Sequence, residues 1–373
     1  MPGLYIHIPF CRKACNYCNF HFSTSIKGHQ EMVDAIVSEL RLRNDEMPTG
    51  PWSSIYFGGG TPSLLSPKQV TQILDAATAL RPLVEAAEIT LEANPDDLTE
   101  EVIAAFAETS INRFSIGIQS FLGEDLTYMN RAHDSAQAVA CIPAAQVAGF
   151  DNLTIDMIYG TPGMSDEAWR QNLQQAIAFG TPHISSYALT VEPKTALAHQ
   201  IKTGQSTPVD EAQSARQMEI LIDTLEAAGY EHYEISNFAK PGWRAKHNSN
   251  YWLGHPYLGV GPSAHSFDGS RTRSWNVANN ALYVKAITLG DLPIEREVLS
   301  DQDRYNELVL TRLRTTWGVK LSEVEALGFE AHFLKEVKTF VERQLVEETD
   351  GSYRLTRAGK LLADGVSGEL FSV

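Results

Sequence analysis

Three cysteines near the amino terminus have the residue type and spacing for iron–sulfur chemistry. Cys11, Cys15 and Cys18 lie in the run HIPFCRKACNYC with a C-x3-C-x2-C spacing, and the only other cysteine of the chain is Cys141. A cubane iron–sulfur cluster is normally held by four protein ligands, most often thiolates. Three thiolates would leave one iron of a four-iron cluster open to a small molecule. The spacing therefore predicts a [4Fe-4S] site with one free coordination position.

Two other uses of these cysteines stay open at this point, namely packing in the core and a zinc site. A structural zinc ion needs a fourth Cys or His at a usual spacing. His21 is close enough in sequence to be that ligand.

The cysteine segment resembles the radical S-adenosylmethionine (SAM) superfamily. The resemblance implies that the open iron chelates the amino and carboxylate groups of SAM. It also implies that an electron passed through the cluster cleaves SAM to a 5′-deoxyadenosyl radical. The run Gly58-Gly59-Gly60-Thr61-Pro62, which follows a β-type segment, resembles the glycine-rich motif with which the superfamily grips the methionyl amino group. Glycine lets backbone amides approach a ligand closely.

A repeated strand–helix unit must position these residues. Short β-type runs occur at LYIHIP, SIYFGGG, EITLEANP, RFSIGIQS, NLTIDMIYG and HISSYALT. Helical patterns follow them at roughly 29–45, 66–80, 99–109, 134–149, 165–180 and 209–229. Ser66, Thr99 and Ser165 are helix-start residues. Alternating strands and helices indicate parallel pairing through right-handed crossovers. We therefore expect an α/β fold, a partial (β/α)6 radical SAM barrel over residues 1–230, with its chemistry at the carboxyl ends of the strands.

Two further segments complete the predicted domain organisation. Residues 231–298 are rich in Gly, Pro, Asn, Trp and Tyr, which predicts irregular structure covering the barrel. Residues 299–373 carry two helical patterns and then Asp350-Gly351 between β-prone runs, a strong hairpin signal. This order predicts a small winged-helix-like α+β domain. The domain is slightly acidic, which favours a packing or lid role over DNA binding.

Several motifs are similar to the oxygen-independent coproporphyrinogen III oxidase family over nearly the whole chain. They are YIHIPFCRKACNYC, FGGGTP, SIGIQSF, NRAH and GVGPSAHSF. The resemblance implies that Cys11, Cys15 and Cys18 hold the cluster. It also implies that SAM is contacted by Tyr5, Tyr17, Gly59, Gly60, Thr61, Glu92, Gln119, Arg131, Asp156, Ala188 and His265. Glu92, Gln119 and Asp156 end separate predicted strands, so they are expected to converge at one edge.

Three features place the chain nearer the heme-chaperone branch of that family than the oxidase itself. The oxidase continues its motif to a fourth cysteine, where this chain has Phe20. It also has an amino-terminal extension, whereas only ten residues precede Cys11 here. Finally, His247-Asn248-Ser249-Asn250-Tyr251-Trp252 fits the HNxxYW pattern that the branch links to heme binding. Because His and Tyr are both axial ligands of heme iron, His247 and Tyr251 are the predicted heme ligands.

The leading hypothesis is a chaperone that binds heme and passes it to acceptor proteins, and that carries a [4Fe-4S] cluster and SAM. The resemblance implies a reductant such as flavodoxin or ferredoxin. The first alternative is the oxidase, which would oxidatively decarboxylate coproporphyrinogen III to protoporphyrinogen IX. A radical enzyme with another substrate, and a regulator built on the winged-helix-like domain, also stay open.

Bulk composition limits the class of protein. The net charge of −16 disfavours generic nucleic-acid binding. No apolar run reaches the roughly 18 residues of a membrane span, and the first residues lack the features of a secretory signal. Four cysteines, three of them clustered, do not suggest a disulfide framework. We therefore expect a cytoplasmic protein without stable membrane insertion.

Overall fold

The structure is a computed structural model that describes residues 1–46 and 50–373. Within these residues the strands are β1 (Gly3–Ile8), β2 (Trp52–Gly59), β3 (Leu83–Ala93), β4 (Arg113–Gln119), β5 (Leu153–Tyr159), β6 (His183–Ala188), β7 (Glu231–Glu234), β8 (Asn237–Ala239), β9 (Tyr257–Val260), β10 (His265–Phe267), β11 (Thr272–Asn276), β12 (Ile294–Val298), β13 (Val319–Lys320), β14 (Val346–Thr349) and β15 (Ser352–Leu355). A 12-stranded sheet has the order β12-β11-β10-β9-β1-β2-β3-β4-β5-β6-β8-β7, and a smaller sheet has the order β13-β15-β14.

The centre of the large sheet is a run of six parallel strands, β1 to β6, paired in sequence order. The helices of the first 230 residues are α1 (His29–Leu42), α2 (Pro67–Leu80), α3 (Glu100–Ala107), α4 (Gly123–Tyr128), α5 (Ser135–Val147), α6 (Asp166–Ala178), α7 (Ala196–Lys202) and α8 (Glu211–Ala227). This alternation confirms the predicted α/β fold. The sheet does not close, because β1 pairs with β9 and β6 pairs with β8.

Helix starts are set by the residues that the sequence indicates. The Ser66 hydroxyl accepts from the backbone N–H of Gln69 in a full capping box before α2. Thr99 and Ser165 cap α3 and α6 in the same way, through side-chain oxygens that accept backbone N–H groups. Each cap satisfies a donor that the helix cannot pair internally.

Residues 231–298 differ from the irregular structure expected of them. They form β7 to β12 together with α9 (Lys246–Trp252) and α10 (Asn280–Thr288), and these strands extend the large sheet at both edges. Short strands of this composition carry little local signal, because their stability comes from pairing with distant segments. Arg43, which forms a buried ion pair with Glu39 at the end of α1, joins α1 to this segment, because its Nη1 donates to the carbonyl of Gly259 at 2.8 Å.

The carboxyl-terminal segment forms α11 (Asp301–Leu313), α12 (Leu321–Ala326), α13 (Glu330–Glu342), α14 (Arg357–Lys360) and α15 (Ala363–Glu369), and its small sheet is built from β13, β15 and β14. The small domain with helices followed by a hairpin is as predicted, although α12 between the two predicted helices and the short α14 and α15 after the hairpin were not expected. Asp350 and Gly351 join β14 to β15 with φ of 52° and 71°, as a tight hairpin turn requires. This segment has its own cluster of buried apolar residues, separate from that of the large sheet. No helix within the described ranges is long and apolar enough to span a membrane.

Candidate functional site

The carboxyl ends of the parallel strands surround a cavity of about 440 Å³, which we call the cluster cavity. The three cysteines line it from the loop that follows β1. Its other walls include Tyr17, Gly59, Gly60, Thr61, Glu92, Gln119, Arg131, Asp156 and Ala188. The structure therefore brings together the predicted cluster ligands and nine of the predicted SAM residues, and it places Tyr5 and His265 elsewhere.

Two donors point at the cysteine sulfurs. The Thr61 hydroxyl lies 3.5 Å from Sγ of Cys11, and Nη1 of Arg131 lies 3.2 Å from Sγ of Cys15. Burial raises the pKa of the Cys11 thiol to about 11 and also raises the pKa of Cys18. Iron binds the thiolate form, and the Thr61 hydroxyl and the Arg131 guanidinium oppose part of the increase in the pKa of Cys11.

Asn94 is a site residue that the sequence analysis missed. Its side-chain amide donates to Oγ1 of Thr61 at 3.1 Å, and its carbonyl oxygen accepts from Nη2 of Arg131 at 2.7 Å. It thus connects the two groups that contact Cys11 and Cys15. The available signal was its position directly after β3, where polar residues of other strands also lie.

The cysteine loop is held against the β4–α5 connection. The Asn130 side chain donates to the carbonyl of Ala14 at 2.7 Å, and the Lys13 ammonium donates to the carbonyl of Arg131 at 3.1 Å. On the opposite side Arg12 pairs with Asp97 at 2.6 Å. Contacts from two directions fix the loop that must present three sulfurs to one cluster.

The glycine run has a packing role in addition to the ligand-binding role expected of it. The backbone N–H of Gly60 donates to the carbonyl of Ile8, and that of Thr61 donates to the carbonyl of Phe10. A Cβ atom added to Gly60 would lie 2.6 Å from the Phe10 oxygen. These two amides therefore bind the cysteine loop, and glycine is required at position 60 because the two chain segments touch there.

Two buried carboxyl groups lie on the wall of the cluster cavity. Burial raises the pKa of Glu92 to about 7 and that of Asp156 to about 6. The Tyr56 hydroxyl donates to Glu92 at 2.7 Å and the Ser115 hydroxyl donates to Asp156 at 3.0 Å, which opposes part of that increase. Groups of this kind suit a ligand with hydroxyls and a positive charge, since a buried carboxylate is stabilised by either.

Gln119 has strained backbone geometry at this cavity. Its φ is 63°, in the left-handed region that residues other than glycine rarely occupy, and the register of β4 against β5 shifts between Ile116 and Gln119. After the shift Gln119 pairs with Met157, and its side chain lines the cavity. Strain of this type is concentrated at functional sites.

A second cavity of about 980 Å³ lies between strands β9 to β11 of the large sheet and α11–α12, and we call it the aromatic cavity. It contains the two remaining predicted SAM residues, Tyr5 and His265. Its aromatic walls are Tyr5, Phe20, Tyr251, Trp252, Tyr257 and Phe267. Asn19 and Phe20 line both cavities, so the two spaces are neighbours.

Helix α9, which carries the HNxxYW segment, also separates the two cavities. Asn248 lines the cluster cavity, whereas Tyr251 and Trp252 line the aromatic cavity. His247 lies between them and is 1% exposed. Its Nδ1 is 2.8 Å from the Ser54 hydroxyl and its Nε2 is 2.7 Å from the Tyr251 hydroxyl. Burial lowers the pKa of His247 to about 3, so its imidazole is neutral.

His21, the residue proposed as a fourth zinc ligand, is on the wall of the aromatic cavity. Its Nε2 is 2.7 Å from Oδ1 of Asn280. Throughout residues 1–46 and 50–373, no three His, Cys, Asp or Glu side chains are close enough to bind one metal ion together. Three sulfurs around one cavity, each held separately, suit a cluster in which every thiolate binds a different iron.

Comparison with known proteins gives two matching family models. Residues 5–176 match the radical SAM superfamily, and residues 299–362 match the HemN C-terminal domain. A heme chaperone HemW of Bacillus subtilis is 32% identical over 374 residues, which cover 99% of this chain and 98% of that protein. The chain belongs to the HemW family. An Escherichia coli HemW is 38% identical over 268 residues, which cover 70% of this chain and 69% of the relative.

A solved structure shares the fold of this HemW-family chain. It is the Escherichia coli coproporphyrinogen III oxidase HemN, described as a radical SAM enzyme, with a TM-score of 0.85 and 23% identity. The likeness covers 100% of this chain and 90% of HemN. At this identity it establishes the α/β fold and the small carboxyl-terminal domain, and it does not favour the oxidase over HemW.

The radical SAM superfamily implies a [4Fe-4S] cluster and SAM for a HemW-family chain. The residues present fit both groups. Three cysteines line the cavity with donors beside two of their sulfurs, and Nε of Arg131 is buried beside the cavity without a hydrogen-bond partner. Buried polar atoms of this kind are normally satisfied, so an unpaired donor at this place is consistent with a polar ligand.

Proposed function

We propose that this protein binds heme and passes it to heme-accepting proteins, with a [4Fe-4S] cluster and SAM in the cluster cavity. Cys11, Cys15 and Cys18 would hold the cluster, and the polar strand ends would hold SAM. When bound, the cluster supplies the electron with which radical SAM proteins cleave SAM. The full-length similarity to heme chaperones supports this reading over the oxidase.

The observation that carries the proposal is the position of the HNxxYW segment. It contributes Tyr251 and Trp252 to an aromatic cavity, and it places His247 behind Tyr251. Aromatic rings suit the faces of a porphyrin. A cavity of about 980 Å³ is also within the range of roughly 300–1,000 Å³ that small-molecule sites occupy.

The pair of His247 and Tyr251 suggests a division of roles between the two predicted heme ligands. Burial raises the pKa of the Tyr251 phenol well above 10, so the free protein holds it as a neutral donor. Ferric iron binds the phenolate, which requires that the phenol lose its proton. That proton would leave to solvent, because the pKa of the His247 imidazole is lowered to about 3. With its own proton on Nε2, 2.7 Å from the Tyr251 oxygen, the neutral imidazole would donate a hydrogen bond to the phenolate. Tyr251 would then contact the iron, and His247 would strengthen that contact.

The test is an anaerobic heme titration followed by the Soret band, with wild-type protein, Tyr251→Phe and His247→Ala. We expect one heme per wild-type chain and at least about tenfold weaker binding in both variants, equivalent to about 1.4 kcal/mol. Tyr251→Phe removes a single hydroxyl, so it is the cleaner variant, whereas His247→Ala also empties a buried position.

Tyr230→Phe is the matched control, because it removes a buried hydroxyl that donates to the carbonyl of Thr181 outside both cavities. It should bind heme as the wild type does. Release to excess apomyoglobin, faster than spontaneous heme loss to a non-protein scavenger, would support transfer. A wild-type chain that shows no saturable Soret band would refute the proposal.

A further inference from the structure

Three histidines line the aromatic cavity, and they differ in the state of their ring nitrogens. His7 uses both, since Nδ1 is 3.1 Å from the Tyr5 hydroxyl and Nε2 is 2.9 Å from the carbonyl of His21. His21 uses Nε2 for Asn280. His265 makes no side-chain hydrogen bond to any other residue that the structure describes. It is therefore the histidine of this cavity with both nitrogens available.

The position of His265 is well defined. It begins β10, and its ring stacks on Trp275 of β11 with centroids 5.8 Å apart and planes at 26°. The backbone beneath it is in tight contact with β9, because a Cβ atom added to Gly259 would lie 1.9 Å from the His265 carbonyl oxygen. Next to it, the Ser266 hydroxyl accepts from the backbone N–H of Gly259. The imidazole is thus held at the cavity by its own strand while remaining exposed.

The electrostatic surroundings keep this imidazole in the form that binds iron. Partial burial, with Arg273 nearby, lowers the pKa of His265 below its usual value. A lowered pKa leaves the ring neutral at pH 7, with a lone pair available on one nitrogen. Heme iron is bound by neutral imidazole.

We infer that His265 is an axial ligand of heme iron in the aromatic cavity, so that β10 contributes to the heme site together with the HNxxYW segment. The inference rests on the proposed function, and it assigns a heme role to a residue that the family resemblance associates with SAM. It also predicts the coordination. Ferric heme bound by His265 and Tyr251 together would be six-coordinate, and loss of His265 would leave an open position.

The side of the cavity formed by the carboxyl-terminal domain suits the acidic edge of heme. Arg304 and Arg312 of α11 and Arg273 of β11 line it. Each is paired with a carboxylate, namely Asp301, Glu323 and Glu307. Guanidinium groups bind carboxylates through paired hydrogen bonds, so heme propionates would compete for these donors with the protein carboxylates, of which Glu307 and Glu323 also line the cavity.

The test compares heme with iron-free protoporphyrin IX on full-length wild-type protein and on His265→Ala. Because the side chain makes no hydrogen bond, we expect the variant to fold normally. Heme affinity should fall about tenfold, whereas protoporphyrin IX affinity should stay the same. The ferric spectrum should also change from a six-coordinate to a five-coordinate form, and added imidazole should restore the six-coordinate spectrum. His199→Ala, which removes an exposed histidine of α7, is the control and should change nothing.

Two results would overturn the inference. Equal weakening of heme and protoporphyrin IX would show that His265 only packs against the macrocycle. An unchanged heme affinity and spectrum in His265→Ala, beside weaker binding in Tyr251→Phe, would remove His265 from the site and leave the proposed function standing. If the wild type itself bound no heme, the proposed function would fail and this inference with it.

Discussion

The cluster cavity and the aromatic cavity are neighbours with opposite construction. The cluster cavity is formed by the ends of consecutive parallel strands, and its polar groups bond to one another, as in the chain from Cys11 through Thr61 and Asn94 to Arg131. The aromatic cavity is formed by segments far apart in sequence, and six aromatic side chains lie on its wall. The first suits a resident anionic cluster, whereas the second suits a flat apolar cargo.

This difference has an energetic meaning. A site whose donors are already in place binds a charged group without reorganisation, which favours permanent occupancy. A site of aromatic surface between two apolar cores binds by area and exclusion of water, and a small separation of its walls releases the ligand. A carrier needs easy release for its cargo and permanent occupancy for its cofactor.

The largest expected difference between the two cavities follows from removal of a cluster ligand. Cys15→Ala should abolish the cluster, measured as iron content and the visible iron–sulfur absorption of anaerobically reconstituted protein. Heme affinity should change less than about twofold, because no cysteine lines the aromatic cavity.

Cys141→Ala is the matched control for that substitution. Cys141 is 2% exposed on α5 and packs in the apolar core, so its loss should leave both the cluster and heme binding intact. If Cys15→Ala removed heme binding as well, the two cavities would form one site and the distinction between cofactor and cargo would be wrong.

The second prediction uses the raised carboxyl pKa values of the cluster cavity. Glu92 has an ordinary pKa of 4.5 and a folded-state pKa of about 7, so between these values the folded chain retains a proton that the unfolded chain has lost. The free energy of unfolding of cluster-free protein should therefore fall as pH rises through this window, by about 3 kcal/mol for this group. Glu92→Gln should remove that part of the decrease.

The measurement is urea unfolding of both proteins at intervals from pH 4 to pH 8. The stability difference between Glu92→Gln and the wild type should grow with pH in favour of the variant. Glu108→Gln, at the exposed end of α3, should give a curve parallel to the wild type. Parallel curves for Glu92→Gln as well would mean that the buried carboxyl is not protonated in the folded state.

The contrast between the cavities also explains which features could be predicted from the sequence. Residues of the cluster cavity follow predictable strands one after another, and parallel strands end at the same edge, so Glu92, Gln119 and Asp156 were expected to meet. Asn94 was missed because an Asn-Pro pair after a strand is also an ordinary turn signal.

The residues that form the aromatic cavity could not be predicted from the order of the strands. Its walls come from β1, the loop after the cysteines, the end of α9, strands β9 to β11 and α11–α12. These segments come into contact through pairing of distant strands, and such pairing produces no periodic pattern in a sequence rich in Gly, Pro and Asn. For the same reason irregular structure was predicted for residues 231–298, although they form six strands. The sequence suggested His247 and Tyr251 but did not indicate that His247 lies behind Tyr251.

The smallest expected effect concerns the wall that the cavities share. Phe20 lines both of them and is 69% exposed, so Phe20→Ala should change the free energy of unfolding by less than about 0.5 kcal/mol. An aromatic ring beside a porphyrin contributes about 0.5–1.5 kcal/mol. We therefore expect heme affinity to fall about three- to tenfold, with a smaller loss of SAM affinity in cluster-loaded protein.

Leu289→Ala is the control for this last substitution, because Leu289 is equally exposed at 69% and lies at the end of α10 outside both cavities. It should change neither affinity. Loss of SAM binding alone in Phe20→Ala would place this ring with the cofactor, and loss of heme binding alone would place it with the cargo. Loss of both, at constant stability, would make Phe20 the point where an occupant of one cavity touches the boundary of the other. In that case a ligand in either cavity changes the surface offered to the second at this side chain, which both cavities share.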